Sequence, residues 1–92
     1  MKRYIVIAYD IEKDRKRREV AKLLEAWGKR VNKSVFECFI SDVELKRLKA
    51  KLEKMVKKGS DSILCYPLCA NCIDNIERFG TKAPEREIVK IF

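Results

Sequence analysis

Tyr4 to Tyr9 is an unbroken apolar run, Tyr-Ile-Val-Ile-Ala-Tyr, that ends at Asp10. Its lack of alternation and its β-branched residues predict a strand buried on both faces. From Lys13 to Trp27 the period changes: Val20, Leu23, Leu24 and Trp27 stand at i, i+3, i+4 and i+7, so one stripe of a helix faces a core while Lys and Arg cover the rest. Gly28 is the natural stop for that helix. Val31 to Ile40 is rich in strand formers around Ser34-Val35-Phe36-Glu37-Cys38-Phe39-Ile40 and predicts one bent strand or two short ones. Ser41-Asp42-Val43-Glu44 fits a capping box, in which the Ser hydroxyl and the Glu carboxylate each satisfy a free N–H at a helix start. Leu45, Leu48, Leu52, Met55 and Val56 continue at helical spacing, and Lys57-Lys58-Gly59 closes the segment. Ser62 to Leu68 reads as a strand, Asn71 to Gly80 as an irregular turn with a short strand, and Arg86 to Phe92, after Pro84, as a last strand.

The order is strand, helix, one or two strands, helix, strand, extension. With right-handed crossovers this predicts an α+β fold, the ferredoxin-like βαββαβ arrangement with two helices on one face of an antiparallel sheet. Residues 1–92 form a single domain, with the core in 1–68 and an extension in 69–92. A terminal strand carrying Ile88, Val89, Ile91 and Phe92 needs an edge to pair with, and the sheet of a dimer partner provides one.

Composition narrows the chemistry. The chain has 92 residues, 22 Lys+Arg against 14 Asp+Glu, a formal net charge of +8 and no histidine. The missing histidine excludes Ser-His-Asp triads, histidine general bases and His-ligated metals. The charge is uneven: residues 1–60 hold 18 basic and 9 acidic groups and residues 61–92 hold 4 and 5, so a polyanion would meet the first two thirds of the chain. The plainer account is that Lys-rich helix faces such as Lys46 to Lys58 are solvated surfaces. No apolar run approaches the roughly 20 residues that a membrane helix needs, and the short run after Met1 is too brief for a signal-peptide core. The expectation is a cytoplasmic protein without membrane contact.

Asp10 ends the first strand and precedes a basic helix, at the rim where open sheets often bind ligands. An Asp there also commonly caps a turn or helix. One carboxylate makes no two-carboxylate site, but two copies across a two-fold axis do, and Mg²⁺ suits such a sparse oxygen site completed by water and phosphate. Arg15, Lys16, Arg17 and Arg18, with Lys29, Arg30 and Lys33, supply cations for phosphate, and the planar arginine fork matches phosphate oxygens in pairs. Tyr9 and Phe36 could stack on bases, although aromatic residues in strands more often belong to the core. Cys38, Cys65, Cys69 and Cys72 leave open a zinc site, a redox pair, a local bridge or buried free thiols. The spacing C-x3-C-x2-C is not that of a zinc ribbon, and Cys69 and Cys72 follow the last core strand, whereas redox CxxC pairs usually open a helix after the first.

In these features the chain resembles the CRISPR-associated protein two family, over nearly its whole length. The carrying residues are Tyr9-Asp10-Ile11 after an apolar strand, Arg17 on a helix ending at Gly28, Arg30 followed by Ser34-Val35-Phe36-Glu37, and Tyr66-Pro67-Leu68-Cys69 with Cys72, Ile76 and Gly80. Glu19 and Asn32 depart from the family pattern, which there favours a basic residue and a glutamine. The resemblance implies a ferredoxin-like homodimer whose C-terminal strand crosses to the other subunit. It implies a metal-dependent endonuclease acting on single-stranded RNA or double-stranded DNA, with paired aspartates on Mg²⁺, and a partnership with the integrase CRISPR-associated protein one in acquiring spacers for antiviral defence. Asp10 matches the metal-binding, catalytic aspartate, and Tyr9, Arg17, Arg30, Ser34 and Phe36 match positions around the cleft; Arg18 stands beside them as a nucleic-acid contact. The rival expectation is a non-catalytic dimeric scaffold that clamps duplex DNA for the integrase with the same cations. Binding needs the cations, and only cleavage needs Asp10.

Overall fold

A computed structural model describes residues 1–80. Its elements are β1 (Lys2–Asp10), α1 (Asp14–Glu25), β2 (Gly28–Asn32), β3 (Val35–Ser41), α2 (Asp42–Met55), β4 (Ser62–Leu68) and α3 (Ala70–Asp74). The four strands form one sheet in the order β2-β3-β1-β4, and every neighbouring pair is antiparallel. This is the ferredoxin-like α+β arrangement.

Strand alternation divides the sheet into two unlike faces. Ile5, Ile7 and Tyr9 of β1 lie beside Cys38 and Phe36 of β3 and pack against Val20, Ala21 and Leu24 of α1 and Leu45, Leu48 and Leu52 of α2. That layer is the core, and each such leucine contributes on the order of 1.5–3 kcal/mol by leaving water. The other face carries Tyr4, Val6, Ala8 and Asp10 from β1 and Leu64 and Tyr66 from β4, with Leu64 and Tyr66 about half exposed. An apolar sheet face left open in this way reads as unfinished in a single chain.

One buried carboxylate stands on that open face. Glu37 accepts a hydrogen bond from the Tyr4 hydroxyl and pairs with Arg78, whose Nη2 lies 2.7 Å from Oε1. Burial, then the hydrogen bond to Glu37, raises the Tyr4 phenol well above its ordinary value. Ile73 of α3 is buried, so the segment after β4 turns back over one end of the face and places Arg78 on Glu37.

The capping box is present as expected: Ser41 Oγ accepts from the Glu44 N–H at 3.2 Å and Glu44 Oε1 accepts from the Ser41 N–H at 2.9 Å. Between Val31 and Ile40 the chain makes two strands, with a bulge between Arg30 and Asn32. Three expectations need correction. Gly28 is not a helix cap: α1 closes at Ala26 and Trp27, whose N–H groups bond back to the Leu23 and Leu24 carbonyls, and Gly28 opens β2. Helix α2 ends at Met55 with an extended Val56, and Gly59 (φ +92°) serves the following turn instead of a cap. Residues 71–80 contain a short helix and no strand: the Ile73 N–H donates to the Cys69 carbonyl at 3.0 Å and the Asn75 side-chain amide to the Asn71 carbonyl at 2.8 Å, which winds the segment into a helical turn. The strand expected at Arg86 to Phe92, and its pairing with a partner, lie outside the described residues.

Asp61 ties the loop before β4 to the loop after β1. Its carboxylate accepts from the Lys57 N–H (2.9 Å), the Glu12 N–H (3.2 Å) and Lys16 Nζ (3.1 Å), with the side chain only 2 % exposed. These donors, the Lys57 N–H foremost, hold its pKa down to about 2 against an ordinary 3.8. A carboxylate whose pKa is lowered on folding stabilises the fold above its unfolded pKa, and that contribution disappears as pH falls through the folded value. Thermal melts should therefore show the wild-type advantage over Asp61→Asn intact at pH 5 and shrinking between pH 4 and pH 2. A constant difference across that window would remove Asp61 from the acid response.

Candidate functional site

A groove of about 760 Å³ opens where β1 ends, walled by α1 on one side and by the β2–β3 turn on the other. Asp10, the last residue of β1 and opposite Ser62, is exposed at its rim, and Arg17, Arg18, Lys22, Arg30 and Lys33 line it. Five cations thus face two carboxylates, those of Asp10 and Glu25. The Asp10 carboxylate has no hydrogen bond or ion pair among the described residues, so it is neither a helix cap nor a salt-bridge partner there.

Each cation is placed by local structure. Arg17 sits in the first turn of α1, where Nη1 donates to the Ile11 carbonyl at 3.0 Å and Nη2 pairs with Asp14 one turn back. Arg17 is thereby held beside the end of β1 with nearly half of its side chain still exposed. Arg18 and Lys22 lie four residues apart and share a helix face. On β2, Arg30 Nη2 donates to the Tyr9 hydroxyl at 3.3 Å, and its guanidinium lies over the Phe36 ring, 5.3 Å from the centroid. A cation in that position is held by the ring's quadrupole. The Tyr9 hydroxyl donates in turn to the Lys33 carbonyl at 3.3 Å, and the Tyr9 N–H donates to the Ser34 carbonyl at 3.0 Å, so β1 fixes the turn that carries Lys33 and Ser34.

Six of the seven residues singled out from sequence, Tyr9, Asp10, Arg17, Arg18, Arg30 and Ser34, meet in this one groove. Phe36 does not. Its ring is fully buried, because alternation on β3 turns it onto the helix layer, and it offers no surface for base stacking. Tyr9 is likewise only 5 % exposed, with its ring 6.3 Å from that of Phe36. Both act as supports, Phe36 beneath the Arg30 guanidinium and Tyr9 through its hydroxyl. Lys22 was not singled out from sequence, although its position four residues after Arg18 carried the signal. Of the other cluster members, Lys16 is engaged by Asp61, and Lys29 lies opposite Glu37 on the strand pair, away from the groove.

The cysteines do not converge. Cys38 is in the core, where burial pushes its thiol up to about 12, and Cys65 packs against the same layer. Cys69 and Cys72 are exposed neighbours of each other. Among the described residues no three Cys, Asp or Glu side chains come together in a way that could hold a metal ion, which argues against a four-cysteine zinc site. No helix among them is long and apolar enough to cross a membrane.

The family model for CRISPR associated protein Cas2 matches residues 1–76. The chain belongs to the Cas2 family. A CRISPR-associated endoribonuclease Cas2 of Synechocystis sp. is 41 % identical over 88 residues, which cover 91 % of this chain and 96 % of the relative. Among solved structures, Streptococcus pyogenes Cas2 at pH 6.5 superposes with a TM-score of 0.76 at 32 % identity, over 84 % of this chain and 99 % of that one. A chain of a partial Cas6-RT-Cas1 and Cas2 complex superposes with a TM-score of 0.71 at 26 % identity, over 83 % of this chain and 89 % of that one. The groove at Asp10 brings a carboxylate that is unpaired among the described residues together with five clustered cations.

Proposed function

We propose that this chain is a Mg²⁺-dependent endonuclease of CRISPR spacer acquisition, working in the cytoplasm as a homodimer on single-stranded RNA or double-stranded DNA and as the partner of the integrase Cas1. The observation that carries the reading is an exposed Asp10, unpaired among the described residues, set among five cations in one groove. Relatives named as endoribonucleases at about two-fifths identity support the nuclease part, and the likeness to a chain in a complex with Cas1 supports the partnership.

Mg²⁺ needs only one or two protein carboxylates and completes its shell with water and phosphate oxygens, so a lone hard oxygen donor such as Asp10 fits it. When bound, it supplies charge neutralisation and a water of lowered pKa. The chain's own residues do the rest. Arg17 and Arg30 grip phosphate oxygens and hold the backbone across the end of β1, with Arg18, Lys22 and Lys33 extending the positive track. The Arg30 guanidinium is pre-oriented by the Tyr9 hydroxyl and the Phe36 ring, which reduces the ordering needed on binding. Asp10 also shares the open sheet face with Val6 and Ala8, so two chains stacked through Leu64 and Tyr66 would bring their aspartates to the same side of the assembly.

The phosphate-gripping part has its own test. Arg17→Ala combined with Arg30→Ala should weaken nucleic-acid binding at moderate salt by about tenfold or more and reduce the slope of log affinity against log salt by roughly 1.5, the loss of two phosphate contacts. Circular dichroism checks that the fold persists. Unchanged affinity and slope would make the groove's cations a solvated surface.

A further inference from the structure

The cysteine pair at the end of β4 is unaccounted for by the nuclease reading. Leu68, paired with Tyr4, is the last residue of β4, and the chain then enters α3 with Cys69 as the extended N-cap residue and Cys72 inside the first turn. The sequence alone placed this pair after the last core strand, with Cys72 in an irregular turn; the structure places it at a strand-to-helix junction. The two Sγ atoms are 3.3 Å apart and both side chains are exposed, while Cys38 and Cys65 belong to the packed layer.

The geometry points to a thiol–disulfide exchange site at Cys69 and Cys72, whose substrate is a small-molecule disulfide of the glutathione type. An S–S bond is about 2.05 Å long, so the two sulfurs already stand close enough for rotations about χ1 to close the gap. The pair is also electrostatically unequal. The Cys72 backbone N–H is the main influence that lowers the Cys69 pKa, whereas the Cys69 sulfur beside it raises that of Cys72. Cys69 is thus the attacking sulfur and Cys72 the resolving one.

The Cys69 thiolate attacks one sulfur of the small disulfide; its S–S bond breaks, and the released thiolate takes up a proton. Cys72 then loses its proton as its sulfur attacks Cys69 in the mixed disulfide, and the second small thiol leaves. The dithiol is oxidised by two electrons and the small disulfide is reduced to two thiols. The product bridge spans the start of α3, the turn that buries Ile73 and leads to the Arg78–Glu37 pair on the open sheet face. Zinc would need further ligands, and among the described residues no third Cys, Asp or Glu joins the pair.

The test uses the full chain, reduced, desalted and incubated with oxidised glutathione at neutral pH without oxygen, then read by intact mass and peptide mapping. The expected product is lighter by two hydrogens and bridged between Cys69 and Cys72, with Cys38 and Cys65 still thiols. Cys72→Ser should stop at a mixed disulfide on Cys69, and Cys69→Ser should react about tenfold or more slowly. The inference is overturned if the pair remains reduced, if glutathione appears at Cys65 instead, if Cys69→Ser reacts at the wild-type rate, or if the purified chain carries zinc that blocks the exchange. None of these readouts depends on nuclease activity.

Discussion

Gly28→Ala should destabilise the folded chain by about 3 kcal/mol, the upper end of what forcing a methyl group into a packed site costs, and lower its melting midpoint by on the order of 15 °C. A Cβ at this position would lie 2.3 Å from the Glu37 carbonyl oxygen, 2.6 Å from Cys38 Sγ and 3.0 Å from Cys38 Cα. Two of those atoms are backbone, so no side-chain rotation relieves the contact, and β2 must move away from β3. Gly28 is paired with Cys38, and Arg30 two residues on is paired with Phe36, so the displacement also pulls Arg30 off the ring and the Tyr9 hydroxyl that orient it. Weaker nucleic-acid binding should accompany the lower stability, although Gly28 itself touches no part of the groove. A Gly28→Ala melt within about 0.5 kcal/mol of wild type would show that the two strands separate at little cost. The glycine is there for close approach, since its backbone does not adopt positive φ.

Much of the fold was legible because its signals are local. The unbroken run from Tyr4 to Tyr9, the stripe of Val20, Leu23, Leu24 and Trp27, and the capping box at Ser41 and Glu44 each mark an element without reference to the rest of the chain. Gly28 was misread for the same reason. A glycine after an amphipathic stretch carries the local signature of a helix stop, while the reason for it, the Glu37 carbonyl nine residues on, exists only once the sheet has formed. Helix α3 was missed because five residues are too few to show a period, and it is held by a buried Ile73 and by Arg78 on Glu37, both tertiary contacts.

The site was legible as a set of residue types and illegible as a division of labour. Asp10 and the arginines converge as expected, because the strand end, the first turn of α1 and the β2–β3 turn all meet at one rim. Which aromatic residue reaches the surface depends on strand parity against the helix layer, and that parity buries Phe36 and leaves Tyr9 only its hydroxyl. Lys16 and Lys29 looked like equals of Arg17 and Arg30 in the sequence, yet one is held by Asp61 and the other lies on the far side of the strand.

Asp10→Asn carries the largest expected effect on function. Asparagine preserves the shape at the end of β1 and removes only the charge of a side chain that has no hydrogen bond or ion pair among the described residues, so stability should stay within about 0.5 kcal/mol of wild type. With Asp10 as the proposed metal donor, its loss should remove about 4 kcal/mol of transition-state stabilisation, which corresponds to a rate on the order of a thousandfold lower. Binding should not fall, because the substitution takes a negative charge out of a groove dominated by Arg17, Arg18, Lys22, Arg30 and Lys33. With no histidine in the chain, no neighbouring imidazole can replace the lost group. The decisive measurement is Mg²⁺-dependent cleavage of single-stranded RNA and of duplex DNA by wild type and Asp10→Asn, purified in parallel, with affinity for the same substrates measured alongside. Cleavage lowered about a thousandfold with affinity held within about twofold is the predicted result; cleavage by Asp10→Asn at the wild-type rate would contradict it.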